Sequence, residues 1–510
     1  MKRKFTSTVA GASILLTGVG LLTRGLGMVR EMVFAGSFGL GEQFDIYLVG
    51  AVLPLTIQII ILFLIQNHLI PSYNQLLSKS PEQEEDFVRT NFWVFSIAGI
   101  VLALILYLSS SFIIKLYLPS SSYLKQEEAK QIFNLFLLTL PVSASSSVLI
   151  AYLQNKLDFF TPAGARLSIN FAVIIVVFLF SAPYGITIIP IGFFIGGLIQ
   201  FFILLFKTDI KLFTSLNKLM IGTHVRSSLS FNLGLIIIIE TLSQLYAVAD
   251  RYFVNSVETG GIAALNYAQT LFILPITTIS LALSTALFPN LSKSYSSDDR
   301  DELEKKFYSG IRINILIFIP IMLVFIFFGN EIIAIIYERG KFGSSDTIMT
   351  AEALKYFSIS IVFYSIYSVF NKIFYSAKWI KMLLVITICG IFFKILLNFI
   401  LVKSLAQNGL ALSSSISYTL FFLLSLLIIQ KKLSFKIVKN LFLEIVFHLI
   451  CAALSYLIII LLVGNVSGSM VITFSSILLF VFIYVLNLWI LKSHSISIIS
   501  NLLYSRGLLK

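Results

Sequence analysis

The stretch from Val9 to Val33, VAGASILLTGVGLLTRGLGMVREMV, is predominantly apolar yet carries Arg24 near its middle. It exceeds the roughly 20 residues that a helix needs to cross a bilayer. A charge in hydrocarbon costs at least about 2.5 kcal/mol, so Arg24 is a candidate functional residue. Because arginine stays charged and its planar fork can bind two oxygens, we expect an anionic ligand such as a phosphate. The alternative is an interfacial residue whose long stem carries the charge to the membrane surface, and this fits Arg30, nearer the helix end, better than Arg24.

The composition extends this membrane assignment to the whole chain. Of 510 residues, 58% are hydrophobic and 12% are charged, with a mean hydropathy of +0.95. A soluble protein could not bury so much apolar surface. The net charge of +13 indicates basic cytoplasmic loops rather than binding of nucleic acid. Cys389 and Cys451 lie in apolar stretches, so we expect neither disulfides nor a metal site.

Apolar windows of about twenty residues recur along the chain and predict an all-α integral membrane protein with about fourteen spans. An even number places both termini on one side. The alternate loops that begin with the N-terminus hold most of the Lys and Arg residues, so we expect both termini in the cytoplasm. The predicted centres are Leu21, Ile57, Val101, Val142, Ile174, Phe194, Ile239, Ile279, Ile319, Ile361, Val385, Leu420, Ala453 and Leu479.

A basic amphipathic stretch divides these spans into two sets. Residues 210–226 are expected to lie along the cytoplasmic surface as a linker. They separate an N-lobe of six helices, 1–209, from a C-lobe of six, 227–432, and residues 433–510 hold two further helices and a tail. The two sets share a weak internal repeat, Leu53-Pro54 in helix two and Leu274-Pro275 in helix eight. Such a repeat is expected of two pseudo-symmetric lobes that move about a site at mid-membrane.

Several short motifs, in order along almost the whole chain, resemble those of the MurJ/MviN lipid II flippases. This family belongs to the MOP superfamily of multidrug, oligosaccharidyl-lipid and polysaccharide exporters, whose fold of fourteen helices in two lobes agrees with the count above. The motifs are LTRGLGMVRE at 22–31, NYA at 266–268, ALFPNLS at 286–292, YERGKF at 337–342, FYS at 374–376 and GLALS at 409–413.

The resemblance implies a transporter rather than an enzyme, because no bond is made or broken and no catalytic residue or cofactor is required. The substrate would be a polyprenyl-diphosphate-linked sugar that crosses the bacterial cytoplasmic membrane while its tail stays among the lipids. Arg24 and Arg30 would bind the diphosphate. Asp45, a further substrate-site candidate, lies early in helix two, where we expect it to cap that helix or to pair with Arg24 or Arg30. We expect a monomer that works by alternating access and is driven by the membrane potential, Na⁺ or H⁺.

The chain departs from the family at two positions where members that transport lipid II carry further arginines. The corresponding residues are Gln58 and Thr270, and Gln269 lies beside the latter. All three stay candidates for substrate binding, since amides and hydroxyls bind sugar hydroxyls without supplying charge. This departure favours, as the alternative, a flippase for O-antigen, capsule or exopolysaccharide repeat units.

A second departure concerns the cation site that the resemblance implies in the C-lobe. Asp250 and Asn398 match its acidic and polar positions, with Glu240 nearby in sequence, but Lys394 stands where a neutral ligand is usual. We hypothesise that the Lys394 ammonium replaces a bound sodium and pairs with Asp250 or Glu240, which would remove sodium dependence or make the site proton-sensitive. The alternatives are a static ion pair and a side chain that reaches the membrane surface.

Two other function classes fit less well. A multidrug/cation antiporter should have an acidic, aromatic cleft, whereas the charges of the first helix are basic. A polyprenyl-diphosphate glycan ligase needs a sizeable outer loop with catalytic groups, and no predicted outer loop is long enough. Glu444 and His448, spaced i,i+4 in helix thirteen, are expected to satisfy each other.

Overall fold

The computed structural model describes residues 9–78, 83–119, 121–212, 231–297, 299–434, 437–463, 470–491, 493 and 495. Every element in these ranges is helical. Short 3₁₀ turns occur at Gly185–Thr187 and Val254–Ser256, and a π-helical turn, Ile276–Ser280, joins α10 to α11. The helices are α1 Val9–Phe38, α2 Glu42–Leu77, α3 Glu84–Leu108, α4 Ser110–Tyr117, α5 Tyr123–Leu137, α6 Thr139–Asn155, α7 Phe160–Tyr184, α8 Ile188–Lys207, α9 Phe231–Arg251, α10 Gly261–Pro275, α11 Leu281–Ser296, α12 Arg300–Phe327, α13 Gly329–Tyr337, α14 Ser344–Ser358, α15 Ile361–Ser376, α16 Ile380–Leu433, α17 Ile437–Val463 and α18 Met470–Ile490.

The predicted class, an all-α integral membrane protein, is confirmed. Within the described residues, nine helices are long and apolar enough to cross a membrane, or ten if the bent pair α14 and α15 counts as one span. Two of these stretches are double length: Phe160–Lys207 has 48 residues and Ile380–Leu433 has 54. The latter is interrupted at Ala406, whose φ of 46° is not helical. All fourteen predicted centres lie inside helices, which is compatible with fourteen spans.

The chain divides into two compact units. The first holds the described residues up to Ala263 together with Arg339–Phe342, and the second holds Ala264–Glu338 and the described residues from Gly343 onward. Helix α9, which the sequence places in the C-lobe, packs on α2 in the first unit. The predicted lobe boundaries stay a prediction, and residues 213–226 of the predicted linker lie outside the described ranges.

In the first unit, glycines bring α7 and α8 into close contact. A Cβ atom added at Gly196 would lie 2.6 Å from the Cα of Ile169, and one at Gly192 would lie 3.0 Å from the Cα of Val173. Small residues at such crossings let the backbones of membrane helices approach closely. The close packing fixes the side of α7 that faces α8 and places Phe193 of α8 against the site described below.

In the second unit, a chain of polar contacts joins α12, α17 and the residues after α18. The Arg312 Nε donates to Glu444 at 3.0 Å, and the Ser495 hydroxyl donates to the other oxygen of Glu444 at 2.9 Å. His448 lies 3.1 Å from the same hydroxyl and 2.6 Å from the Tyr484 hydroxyl. The predicted direct pairing of Glu444 with His448 is therefore wrong, because Ser495 stands between them and Arg312 is the ionic partner of Glu444.

Candidate functional site

Arg24 is a half-buried cation on α1 that makes no ion pair with the part of the chain that the structure describes. It lies off the stripe of exposed apolar residues formed by Leu21, Leu22 and Val29. Its guanidinium makes no hydrogen bond, ion pair or ring contact with the described residues. An arginine that is partly removed from water and has no carboxylate partner can use all of its N–H donors to bind an incoming anion.

Arg30, by contrast, is held by its neighbours. Its Nη2 donates to Glu31 at 2.6 Å, and its Nη1 donates to the Asn170 side chain of α7 at 3.2 Å. The guanidinium lies over the rings of Phe34 and Phe193, with centroid distances of 5.6 and 5.3 Å. The side chain is therefore held against the protein, where it links α1 to α7 and α8. Its predicted contact with substrate stays a prediction.

Asp45 caps a helix, but not its own. Its two carboxylate oxygens accept hydrogen bonds from the backbone N–H groups of Gly260, at 2.6 Å, and Ala263, at 2.7 Å. These groups lie at the N-terminus of α10, where N–H groups lack partners in their own helix and the dipole favours a negative charge. The predicted cap of α2 is wrong, because both carboxylate oxygens of Asp45 bind N–H groups at the start of α10 and none at the start of α2.

Two glycines in left-handed conformations close over the end of α1. Gly260 has a φ of 83°, and a Cβ there would overlap the carbonyl of Leu40. Gly340 has a φ of 57°, and a Cβ there would overlap the carbonyl of Gly36, to which the next residue, Lys341, donates its N–H at 2.9 Å. We refer to these two direct backbone contacts at the end of α1 as the closure.

Two of the three neutral candidates are engaged within the protein. The Gln58 amide donates to the Thr139 hydroxyl, which itself donates to the carbonyl of Phe136. The Thr270 hydroxyl donates to the carbonyl of Asn266 within α10, at 2.8 Å. Gln269 is half-buried and makes no hydrogen bond with the described residues. Of the three, Gln269 keeps its amide most available for a ligand.

The predicted coupling residues are all at least half-buried. Lys394 and Asn398, one turn apart on α16, are fully buried, and the Ser413 hydroxyl donates to the Asn398 side chain. Full burial rules out the alternative in which Lys394 reaches the membrane surface. Asp250 is buried at the end of α9, and Glu240 accepts a hydrogen bond from Gln244 at 3.0 Å. No group of three His, Cys, Asp or Glu side chains in the described ranges could hold a metal ion.

The sequence does not predict the role of Asn170, which accepts a hydrogen bond from Arg30 and donates one to the carbonyl of Thr23 at 3.5 Å. The available signal is an amide inside an apolar run, where an unpaired polar group would be costly. The sequence does not reveal which of the other helices supplies the partner. The rotation of α7 about its own axis decides which helix Asn170 contacts, and that rotation depends on the glycine contacts between α7 and α8.

Comparisons with known proteins agree along nearly the whole chain. The sequence model of one family, described as lipid II flippase MurJ, matches residues 34–486. The probable lipid II flippase MurJ of Rickettsia prowazekii is 28% identical over 469 residues, covering 89% of this chain and 90% of its own. That of Borreliella burgdorferi is 25% identical over 442 residues, covering 82% and 83%.

Solved structures share the fold. A lipid II flippase MurJ in an inward closed conformation has a TM-score of 0.80 at 24% identity, covering 94% of this chain and 98% of its own. An inward-facing multidrug transporter of the MATE family has a TM-score of 0.63 at 15% identity, covering 82% and 98%. At these identities the likeness concerns the fold alone.

Replacing Asp45 by alanine should destabilise the protein, because two buried N–H groups at the start of α10 lose their acceptor. We expect a loss of about 2 kcal/mol, the upper end for a helix cap, seen as a lower midpoint of thermal unfolding. Asp45→Asn keeps one acceptor oxygen and should lie in between. The matched control is Glu42→Ala, since Glu42 is in the same first turn of α2 but its side chain is 50% exposed. Equal effects at both positions would contradict the capping role.

Replacing Gly340 by alanine should open the closure over α1, because the added Cβ overlaps the Gly36 carbonyl and φ is positive. The readout is the rate at which a membrane-impermeant thiol reagent modifies Ser37→Cys, with the two native cysteines replaced by alanine. We expect a rise of severalfold.

Gly343→Ala is the control for this experiment, since a Cβ there meets nothing within 4 Å and φ is negative. A modification rate that is the same for Gly340→Ala and Gly343→Ala would show that the backbone contact does not hold this end closed.

Proposed function

Because this chain belongs to the MurJ family of lipid II flippases, we propose that it moves lipid II, a glycan linked to undecaprenyl diphosphate, from the inner to the outer leaflet by alternating access. It is a transporter and not an enzyme. The observation that supports the substrate most directly is Arg24, a half-buried guanidinium without a partner among the described residues. An arginine fork is suited to two oxygens of a phosphate, and it cannot lose its charge inside the membrane.

The physical problem of transport accounts for this arrangement. A diphosphate and a sugar must cross about 30 Å of hydrocarbon while the polyprenyl tail stays in lipid. Charge-assisted hydrogen bonds from the protein replace the water that the diphosphate loses. In this proposal Arg24 binds the diphosphate, and Arg30, held by Glu31 and Asn170, keeps α1 positioned against α7.

The setting of this activity is a bacterial cytoplasmic membrane, with both termini in the cytoplasm and the protein working as a monomer among lipids. The basic residues of the predicted cytoplasmic loops support this orientation. The second candidate is a flippase for polysaccharide repeat units. It is favoured by Gln58 and Thr270, which are neutral and bind groups of the protein itself.

Growth of a bacterium depleted of its own lipid II flippase should be restored by this chain and lost again with Arg24→Ala. Arg24→Lys keeps the charge but loses the planar fork, so it should restore growth only partly. Lys115→Ala, which removes an exposed cation from α4, is the control and should rescue fully. Rescue by Arg24→Ala would exclude the diphosphate role of Arg24. Failure of the unaltered chain despite good membrane expression would favour the polysaccharide repeat.

We further propose that Lys394 supplies a fixed cation in place of a bound sodium ion. Its complete burial beside Asn398 supports this, because an ammonium in such a place needs oxygen partners of the kind that also bind sodium. Transport would then not depend on sodium, and the driving force would come from the membrane potential or from protons.

Replacing Lys394 by asparagine should create sodium dependence. A ligand that binds only the folded state raises the unfolding temperature, so the variant should gain thermal stability in NaCl relative to choline chloride. The unaltered protein and Lys403→Asn, an exposed position on the same helix, should respond equally to both salts. If Lys394→Asn remains indifferent to sodium, the lysine does not occupy a cation site.

A further inference from the structure

Arg166 of α7 lies on the side of its helix that faces the protein and yet is exposed. At 3.6 residues per turn it shares a face with Pro162, Asn170, Val173 and Val177, all of which are buried. In the middle of α7 the exposed apolar residues lie on the opposite side: Phe171, Ile175, Phe178 and Leu179. Only near the end of the helix are Phe180 and Tyr184 exposed on the same face as Arg166. Between Pro162 and Val177, Arg166 is the only exposed residue on this face, so its guanidinium can be reached from outside the protein at that level.

The same face of α7 carries the contact with α1. Asn170, one turn beyond Arg166, accepts from Arg30 and donates to the carbonyl of Thr23, the residue before Arg24. Arg166 therefore lies on the α1 side of α7, one turn nearer the start of that helix. In the predicted orientation, α7 starts at the cytoplasmic surface, so Arg166 lies on the side from which a cytoplasmic substrate arrives.

Arg166 also shares with Arg24 a property that the other described arginines lack. Neither guanidinium makes a hydrogen bond, ion pair or ring contact with the described residues. The others do: Arg30 binds Glu31, Arg89 binds Asp86 and Arg312 binds Glu444, and Arg251, Arg300 and Arg339 have partners as well. The two arginines without partners are thus on neighbouring helices that touch through Asn170.

We propose that Arg166 is a second anion-binding residue, which receives an oxyanion of the lipid-linked substrate on the cytoplasmic side before Arg24 takes it over. This inference rests on the proposed flippase function and extends its binding site from α1 to α7. The fork of Arg166 matches a phosphate or a carboxylate equally well. The oxyanion is therefore either the diphosphate or a carboxylate of the peptide on the headgroup.

The test is binding to the purified full-length protein in nanodiscs with two probes, undecaprenyl diphosphate and lipid II. Arg166→Gln should raise the dissociation constant about tenfold, as expected for loss of a charge-assisted hydrogen bond. Arg166→Lys should fall between Arg166→Gln and the unaltered protein, because it keeps charge but not the fork. Lys207→Gln removes an exposed cation at the end of α8, which lies on the same predicted side, and should change binding less than twofold.

The two probes distinguish the sources of the oxyanion. Equal weakening of both by Arg166→Gln identifies the diphosphate, and weakening of lipid II alone identifies a headgroup carboxylate; both outcomes support the proposal. If Arg166→Gln binds both probes as well as Lys207→Gln does, the Arg166 inference is overturned while the flippase function stands. If the unaltered protein binds neither probe, the proposed function itself fails, and this inference fails with it.

Discussion

The need to compensate charge inside an apolar bundle governs the structure of the first unit. Arg30 is partly removed from water, and the cost is offset by Glu31, by the Asn170 amide and by two aromatic faces. These contacts fix α1 to α7, and the glycine crossing at Gly196 fixes α7 to α8. Arg24, only six residues earlier in α1, has no such compensation from the described residues. The contrast separates an arginine that supports the structure from one that is free to bind a ligand.

A related constraint acts on backbone groups. The first N–H groups of any helix lack partners in that helix, and in an apolar environment they must find an acceptor elsewhere. For α10 that acceptor is Asp45 of α2, a residue more than two hundred positions earlier in the chain. The carboxylate thereby ties the start of α10 to the start of α2. Charge thus has a structural role in this unit.

The sequence predicts the membrane class and the helix positions well because hydropathy over twenty residues is a local property. It also marks Arg24 as a candidate, since an isolated charge in an apolar run is visible without knowledge of the fold. It does not predict the partner of Arg30 or the helix that Asp45 caps, because both contacts join distant segments and depend on how helices rotate against each other. Arg166 is missed for a similar reason: in sequence it resembles any basic residue near a cytoplasmic loop, and only the buried face of α7 shows where it lies.

The contact of Gly340 with Gly36 joins uncharged main-chain atoms, through an N–H donor at Lys341 and a carbonyl acceptor. Dissolved ions screen such a contact far less than they screen an ion pair, and no group in it titrates near neutrality. This part of the closure should therefore hold equally well in dilute and concentrated media and in acidic and neutral surroundings. A bacterium meets all of these conditions, and a closure that depended on side-chain charges would weaken in some of them.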